Sequence, residues 1–146
     1  MQDISGVGLV VIIRASTTFA TVPLNISQFA DDADPLDIPA LQIADSAMGL
    51  NGDLLKWAKA NPISLTLNVV PAGADDTNLQ ILGDANRVGQ GKVSARDEIT
   101  ATVVYPDGRI VILNKGYLKN YMPGNSVSSS QRIKTKPYVF EFESKT

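Results

Sequence analysis

The sequence predicts a mainly β fold, an antiparallel β-sandwich or β-barrel with one flanking α-helix over about residues 75–88. About seven to nine short segments alternate apolar and polar side chains with the period of two that a β-strand requires. Turn-forming residues separate several of these segments, as at Asn51-Gly52 and at Pro106-Asp107-Gly108. A single segment, residues 75–88, shows apolar side chains at clear helical spacing behind two acidic residues suited to a helix N-terminus.

The strand pattern extends over most of the chain. Residues 7–14 form a continuous β-branched run, which is typical of a strand buried on both faces. Residues 62–70 alternate most regularly, with leucine and valine on one face and serine, threonine and asparagine on the other. The acidic, proline-containing residues 31–39 predict a loop. The predicted strands are residues 7–14, 21–29, 40–48, 54–59, 62–70, 97–105, 109–113 with a possible extension over 117–121, and 137–143.

For some of these segments the sequence allows a more specific interpretation. Pro23 indicates that residues 21–29 form an edge strand or a strand start, because proline cannot donate to the hydrogen bonds of a sheet. Residues 40–48 and 54–59 flank Asn51-Gly52 and predict a β-hairpin, although a helix over residues 40–48 is the alternative. For the helix over 75–88, the predicted cap is Asp75 or Asp76.

Composition describes a globular chain that lacks the most common catalytic side chains. The 146 residues are 44% hydrophobic and 19% charged, which predicts a single domain over residues 1–146. The absence of cysteine and histidine excludes thiol nucleophiles, imidazole acid–base catalysis and most zinc sites. The first apolar run spans about seven residues, far fewer than the ~20 that a membrane span requires, and no basic segment precedes it. We therefore expect a cytosolic protein without a targeting segment.

The charges are distributed unevenly along the chain. Residues 1–84 contain ten acidic and three basic residues, whereas residues 85–146 contain five acidic and ten basic residues, within a net charge of −2. Either the fold mixes these charges over one surface, or it separates them into an acidic and a basic face. Two complementary faces on one molecule would favour head-to-tail association of identical copies. The overall balance lacks the basic footprint of a nucleic-acid-binding protein.

No motif for catalysis or for cofactor binding is complete. Gly89-Gln90-Gly91-Lys92 lacks both the first glycine and the final serine or threonine of a phosphate-binding loop. The aspartates within residues 31–37 lack the spacing of an EF-hand calcium loop. Asp97 and Glu98 point to opposite faces of a strand, so they are poorly placed for acid–base catalysis. We expect no enzymatic activity, no cofactor and no bound metal.

Five segments together resemble a known family. They are GVGLVVIIRASTTF, ISQFADDADPLDIP, QIADSAMGLNGDLLKWAKANPISLTLNVVP, ANRVGQGKVSARDEITATVVYPDG and MPGNSVSSSQRIKTKPYVFEFE, which lie between about residues 6 and 143. Their overall pattern is similar to that of the tail tube proteins of contractile-tailed bacteriophages, the myoviruses. The resemblance implies a β-sandwich with one helix and hexameric rings that stack into a tube inside a contractile sheath. It also implies a virion tail protein, assembled in the host cytoplasm, whose partners are its own copies, the sheath protein and passing DNA, with no membrane.

A tube of this kind requires a wet inner face that does not retain DNA. Each lysine or arginine that contacts phosphate adds affinity, so a neutral or acidic lining favours passage. Two predicted strands, residues 62–70 and 97–105, have small polar side chains on the face opposite their apolar one. The predicted lumen-lining residues are Ser64, Thr66, Asn68, Glu98, Thr100 and Thr102. From periodicity alone, an ordinary solvent-facing sheet side explains the same pattern.

Two further groups of residues are candidates for contacts between subunits. The predicted hairpin tip carries Met48, Leu50, Leu54 and Trp57, although Trp57 in the core of the chain is an equally good interpretation. The second group pairs the acidic loop of one ring with basic residues of the next ring. Its members are Asp31, Asp32, Asp34, Asp37, Arg132, Lys134 and Lys136. The alternating basic residues are also explained by an edge strand protected by charge, or by contact with phosphate.

Two alternative functions remain from the sequence. The same fold suits a ring at the baseplate end of a tube, or the tube of a tailocin or another injection machine. A function of another class is a monomeric binding module that uses the acidic loop or the basic segment.

Overall fold

The computed structural model describes residue 4, residues 6–31 and residues 33–146 of the chain. Within these residues the chain forms nine strands and one helix. Most of these elements begin and end close to the bounds that the sequence pattern predicts. The elements are β1 (Val10–Ala15), β2 (Leu24–Ile26), β3 (Leu36–Asp37), β4 (Ala44–Met48), β5 (Leu54–Ala58), β6 (Ile63–Val69), α1 (Ala74–Asn86), β7 (Ile99–Val104), β8 (Ile110–Asn120) and β9 (Lys136–Lys145).

Seven of the strands form one antiparallel sheet, and the other two form a separate hairpin. The order in the large sheet is β2-β1-β7-β8-β9-β6-β3, and the sheet curls into a half-barrel. The prediction of a mainly β fold with one helix is confirmed. The strands curl around the core in one sheet, and α1 contributes Leu79 and Leu82 to the inner face of that core. The helix therefore covers apolar surface that a second sheet would cover in a two-sheet sandwich.

Alternation along the strands produces the core. In β6, Leu65, Leu67 and Val69 are fully buried, and in β7 the same holds for Ile99 and its alternate neighbours. Burying one such aliphatic side chain contributes roughly 1.5–3 kcal/mol. Tyr138, Phe140 and Phe142 of β9 provide the largest buried side chains of the described residues. The inner face of the half-barrel is consequently apolar along its long strands, apart from Lys136 at the start of β9.

The helix begins differently from the prediction. Its N-cap is Gly73, which makes no side-chain cap hydrogen bond, so the predicted cap at Asp75 or Asp76 is wrong. Asp75 lies in the first turn, and its carboxylate accepts hydrogen bonds from the backbone N–H groups of Ser27 and Gln28 at 2.8 and 2.9 Å. The carboxylate thus ties α1 to the segment after β2, and its negative charge still lies near the positive end of the helix dipole.

The segment after β2 also closes one end of the half-barrel. Phe29 forms an antiparallel bridge with Val69, and the N–H of Val70 donates to the carbonyl of Gln28 at 3.0 Å. These bonds connect the β2 edge of the sheet to β6 on the far side of the gap. We call this closed region the sealed end, because α1 and the bridge at Phe29 together cover it.

The acidic loop contains a short strand that the sequence did not indicate. β3 covers only Leu36 and Asp37, which pair with Leu67 and Thr66 of β6. The pattern of residues 31–39 hides it, because two residues are too few to show alternation. Among the described residues, no helix is both long and apolar enough to cross a membrane.

Candidate assembly surfaces

The β4–β5 hairpin is the most exposed apolar feature of the described chain. All five strand pairs form, from Ala44 with Ala58 to Met48 with Leu54. The turn between them is closed by the hydrogen bond from the N–H of Gly49 to the carbonyl of Asp53 at 2.7 Å, and Gly52 has a positive φ of 86°. Glycine adopts this backbone conformation without steric cost. The predicted hairpin is therefore present, and the helix alternative over residues 40–48 is wrong.

Apolar side chains cover both faces of this hairpin. Residues that pair across two antiparallel strands point to the same side. One side, which we call the tryptophan face, carries Trp57 opposite Asp45 and Leu55 opposite Ala47. The other side, which we call the methionine face, carries Met48 opposite Leu54. Every residue of β5 is exposed, so the other described residues leave both faces largely uncovered.

The structure decides between the two interpretations of Trp57. Its side chain is 49% exposed and lies outside the hydrophobic core, so the core interpretation is wrong. Leu50, at the turn, is fully exposed. Sequence reasoning missed Ile43 and Leu55, which add to the same exposed surface. Both belong to segments that were predicted as strands, but alternation alone does not show that neither face of a strand is buried.

The predicted lumen-lining residues lie on the outer face of the half-barrel. Ser64, Thr66 and Asn68 are half-buried on β6, opposite its buried leucine face. Thr100 and Thr102 occupy the same position on β7. β8 and β9 lie between these two strands, so the two groups are not neighbours. Glu98 lies one residue before β7 and is exposed.

The side chains next to these polar residues on neighbouring strands are not all small and polar. Thr102 is in register with Ile12 of β1 and with Ile112 of β8, and Thr100 is in register with Arg14. Residues in register lie side by side on one face of the sheet. The outer face therefore mixes small polar, aliphatic and basic side chains. The alternation within one strand could not show this, because cross-strand neighbours depend on the register.

A charged cluster lies between the two groups on the outer face. The Tyr117 hydroxyl donates to Glu141 at 2.6 Å, and the Lys119 ammonium donates to the same carboxylate at 2.7 Å. The hydrogen bonds from Lys119 and Tyr117 lower the pKa of the Glu141 carboxyl, and the bond to Glu141 raises the pKa of Lys119. Both charges are thus held in their ionised forms, and the cluster contributes little net charge to this face.

The acidic and basic segments meet within one chain. Arg132 donates to the carboxylate of Asp31 at 2.6 Å, and this bond holds the pKa of Asp31 below its ordinary value. Asp34 is exposed, and its backbone carbonyl accepts a hydrogen bond from Asn68 at 2.7 Å. The predicted partners Asp31 and Arg132 are therefore already paired inside the subunit, and the acidic and basic segments adjoin rather than form opposite faces. Asp37 and Lys134 are exposed, and Asp32 lies outside the described residues.

The prediction that Lys136 contacts another subunit is wrong. It is only 4% exposed, and its ammonium lies 3.4 Å from the Asp76 carboxylate and 3.3 Å from the Gln80 amide oxygen. The Tyr138 hydroxyl donates to the same Asp76 carboxylate at 2.8 Å. Burial and the neighbouring carboxylate raise the pKa of Tyr138. Lys136 therefore joins β9 to α1 and is not available to another subunit.

Asp97 performs a similar structural task at the other end of α1. Its carboxylate accepts hydrogen bonds from the backbone N–H groups of Thr17 and Thr18 and from the Asn86 amide at 2.8, 2.9 and 2.8 Å. Burial raises the pKa of Asp97, but the hydrogen bonds from Thr18, Asn86 and Thr17 outweigh it and hold the pKa below 3.8. This side chain fastens the end of the helix to the sheet. In the part of the chain that the structure describes, no three acidic side chains converge as metal ligands.

Comparison with solved structures identifies the same fold in two contractile assemblies. A chain in the six-fold symmetrised cryo-EM structure of the anti-feeding prophage (AFP) baseplate matches with a TM-score of 0.55 and 10% identity, over 100% of this chain and 95% of that one. A chain in the cryo-EM structure of the sheath/tube terminator of an extracellular contractile injection system, PVC, in the extended state, matches with a TM-score of 0.52 and 13% identity, over 100% and 96%. No curated relative matches the sequence. At identities of 10% and 13%, these matches show that the chains have the same fold and show nothing further.

The family comparison extends over nearly the whole chain. The fold and the matching family make this chain a component of a phage-like tail. It belongs to the family described as tail fiber protein gp32, whose model matches residues 2–146.

Proposed function

We propose that the chain is a structural subunit of the inner tube of a contractile tail. Copies of the chain form hexameric rings, the rings stack, and the resulting channel conducts DNA inside a sheath. The role is passive, so the chain acts as a building block and not as an enzyme. The observation that carries the proposal is the β4–β5 hairpin, which presents apolar side chains on two faces. An exposed apolar surface of this kind is typical of a site at which another protein subunit binds.

The edges of the half-barrel support the same function. The two edge strands are short, since β2 pairs with β1 over three residues and β3 pairs with β6 over two. Residues within 28–35 also bond to Asn68 of β6 and to Val70 after it, so among the described residues only positions 63–65 of β6 lack a partner on that side. Joining the sheets of successive copies around an axis would close them into one barrel and remove the free edges.

Negative-stain microscopy of the purified chain tests the proposal. The expected result is regular tubes with a repeating ring and a visible central channel. A monodisperse monomer at high protein concentration would instead favour a binding module, and it would contradict the proposal.

A second candidate function is a ring at one end of the tube. The two matching structures favour it, since one is a baseplate and the other is a sheath/tube terminator. The same micrographs separate the two functions. A tube subunit forms long stacks, whereas an end ring forms single rings or pairs of rings under the same conditions.

The outer face of the half-barrel is the proposed lumen surface, and it has its own test. Thr66→Lys combined with Thr100→Lys adds two cations to this face, and each added phosphate contact strengthens binding to DNA. We expect tubes of normal appearance and slowed DNA ejection from particles that carry the variant. Val88→Lys combined with Gln90→Lys adds the same charge after α1 and is the matched control. Ejection at the wild-type rate by both variants would place these threonines away from the channel.

A further inference from the structure

A large apolar cavity lies at the end of the half-barrel opposite the sealed end. Its volume is about 900 Å³, and we call it the open-end groove. The side chains that define it come from the ends of four strands and from the loop before β3. They are Leu9, Pro35, Leu36, Tyr105, Ile110 and Val111, and the segment before β1 adds Ile4 and Gly6 to the lining. The groove lies in the gap between the β3 edge and the opposite side of the curled sheet, at the end away from α1, the one helix among the described residues.

The strand directions fix the groove and α1 at opposite ends. β9 begins at Lys136, which contacts Asp76 and Gln80 of α1, and it ends at Lys145, which lines the groove. β7 likewise begins beside Asp97, which is bound to the end of α1, and its last residue is followed by Tyr105 in the groove. The two long strands thus run from the sealed end to the open end.

The hairpin leaves the half-barrel at the same end as the groove. Its stem residues Leu41 and Pro62 line a smaller cavity together with Val111 and Lys145. Val111 and Lys145 also line the open-end groove. Each subunit therefore carries an unfilled apolar cavity and an uncovered apolar hairpin at the same level along the half-barrel.

We propose that the open-end groove binds the tryptophan face of the hairpin of a second copy of this chain. The inference rests on the proposed function in requiring that copies assemble into rings. The tryptophan face is the better match, because its charged residue, Asp45, lies near the base of the hairpin, whereas Lys56 and Ser46 lie in the middle of the methionine face. An indole is a common anchor in buried interface pockets.

The positions of hairpin and groove assign this contact to the ring. The proposed ring axis is parallel to the half-barrel. A rotation about that axis keeps equal ends at equal heights, so it can bring the hairpin of one copy to the groove of the next. A stack of rings places the open end of one copy against the sealed end of another. A contact between two different surfaces of the same chain closes into a ring when the rotation permits it. The hairpin–groove contact is therefore lateral.

Charged side chains are distributed to suit this pairing. The rim of the groove carries Asp107, Arg109 and Lys145, and Arg109 contacts Asp107 at 2.8 Å. The tryptophan face carries Asp45 near the base of the hairpin, where Lys59 also lies. A carboxylate brought to the rim meets the ammonium of Lys145, while the apolar side chains fill the cavity. Charges at such a rim mainly set orientation and specificity.

Cysteine cross-linking tests the contact directly, because the chain contains no native cysteine. One protein carries Leu55→Cys on the tryptophan face, and a second, size-tagged protein carries Ile110→Cys in the groove. Both positions are more than half exposed, at 55% and 57%. The two proteins are assembled together, checked for rings by microscopy, and treated with a short bismaleimide. We expect a mixed dimer on a denaturing gel, which only an intermolecular contact can produce.

Two matched mixtures complete the test. Leu54→Cys, one residue away but on the methionine face, replaces Leu55→Cys in the first. Ile81→Cys on α1, at the sealed end, replaces Ile110→Cys in the second. Both are expected to yield at least ~10-fold less mixed dimer. If Leu55→Cys prevents assembly, Ala47→Cys replaces it, because Ala47 lies opposite Leu55 on the same face.

The outcomes separate this proposal from the proposed function. Preferential cross-linking of Leu55→Cys to Ile110→Cys supports the lateral contact. Preferential cross-linking to Ile81→Cys shows a stacking contact and overturns it, as does equal cross-linking from Leu54→Cys. Regular tubes without any cross-link also overturn it and leave the proposed function intact. Absence of rings and tubes in the wild-type protein rejects both.

Discussion

The half-barrel and the β4–β5 hairpin use the same kind of sequence and reach opposite environments. In β6, Leu65 and Leu67 are completely buried in the core of the half-barrel. In β5, Leu54 and Leu55 belong to an equally apolar segment, yet all of its residues are exposed. The difference lies in what covers each strand. Within the described residues, the subunit buries the core of the half-barrel and leaves the hairpin exposed.

This contrast separates residues that fold the chain from residues that join copies of it. Changes in the half-barrel are expected to reduce the free energy of unfolding of the subunit. Changes in the hairpin are expected to leave that free energy almost unchanged and to abolish assembly. The predictions below follow this division, from the largest expected effect on subunit stability to the smallest.

Phe140→Ala removes the central aromatic side chain of the core. Phe140 is fully buried, and its ring stacks on that of Phe142 with 6.2 Å between their centroids. We expect the free energy of unfolding to fall by about 4 kcal/mol, since a deleted core phenylalanine leaves a cavity. Urea unfolding of the dissociated subunit measures the change. A loss below ~1 kcal/mol would mean that the half-barrel does not depend on this core.

Gly116→Ala adds one methyl group at a point of close packing. Gly116 is buried on β8, and a Cβ atom there would overlap the ring of Phe142 and approach the backbone carbonyl of Glu141. We expect a loss of about 3 kcal/mol, the upper part of the range for overpacked cores. Gly124→Ala is the control, since no atom lies within 4 Å of its added Cβ. Equal unfolding midpoints for the two variants would contradict the packing described here.

Asp97→Asn tests the polar junction between α1 and the sheet. An amide in place of the carboxylate loses charge-assisted hydrogen bonds from Thr17, Thr18 and Asn86, so we expect a loss of about 2 kcal/mol at neutral pH. Because the folded-state pKa is lower than 3.8, the wild-type contribution is present above pH 3.8 and is lost as the pH falls through the folded-state value.

The pH dependence distinguishes this explanation from a general loss of packing. The stability difference between wild type and Asp97→Asn should begin to shrink as the pH falls below about 4, where the carboxyl of the unfolded chain becomes protonated, and should level off below the lower folded-state pKa. Thermal unfolding at a series of pH values measures it. A difference that stays constant down to the lowest pH would show that the charge of Asp97 contributes nothing.

The sequence was sufficient for the elements that have a regular pattern. The alternation of residues 62–70 predicted β6 and its buried face, and the Asn51-Gly52 turn predicted the hairpin. The helical spacing behind Asp75 predicted α1 to within two residues at each end. Each of these depends on local backbone preference and on side-chain periodicity, which a single strand or helix expresses by itself.

The remaining features depend on which segments the fold brings together. Lys136 belonged to an alternating basic run and was expected at a subunit contact, but Asp76 of α1 pairs with it in the interior. Asp31 and Arg132 are 101 positions apart in sequence and contact each other within one chain. The open-end groove is formed by the ends of four strands and a loop, so no local pattern indicates it. The pattern of residues 54–59 does not distinguish Leu55 from a buried strand leucine, whereas in the structure Leu55 is 55% exposed.

Trp57→Ala is the variant with the smallest expected effect on the subunit and the largest on its assembly. The side chain is half exposed and makes no contribution to the core. The substitution is therefore expected to change the unfolding free energy by less than ~0.5 kcal/mol, as for other surface positions. At the same time it removes the largest apolar side chain that the hairpin offers to a neighbour.

The most direct test of this division is one paired measurement on Trp57→Ala and wild type. Circular dichroism spectra and urea unfolding are recorded on the dissociated subunits, and negative-stain micrographs are recorded after assembly. We predict the same spectrum and the same unfolding midpoint for both proteins, with rings and tubes formed only by the wild type. Tubes formed normally by Trp57→Ala, or loss of the native spectrum in that variant, would contradict the assignment of the hairpin to assembly.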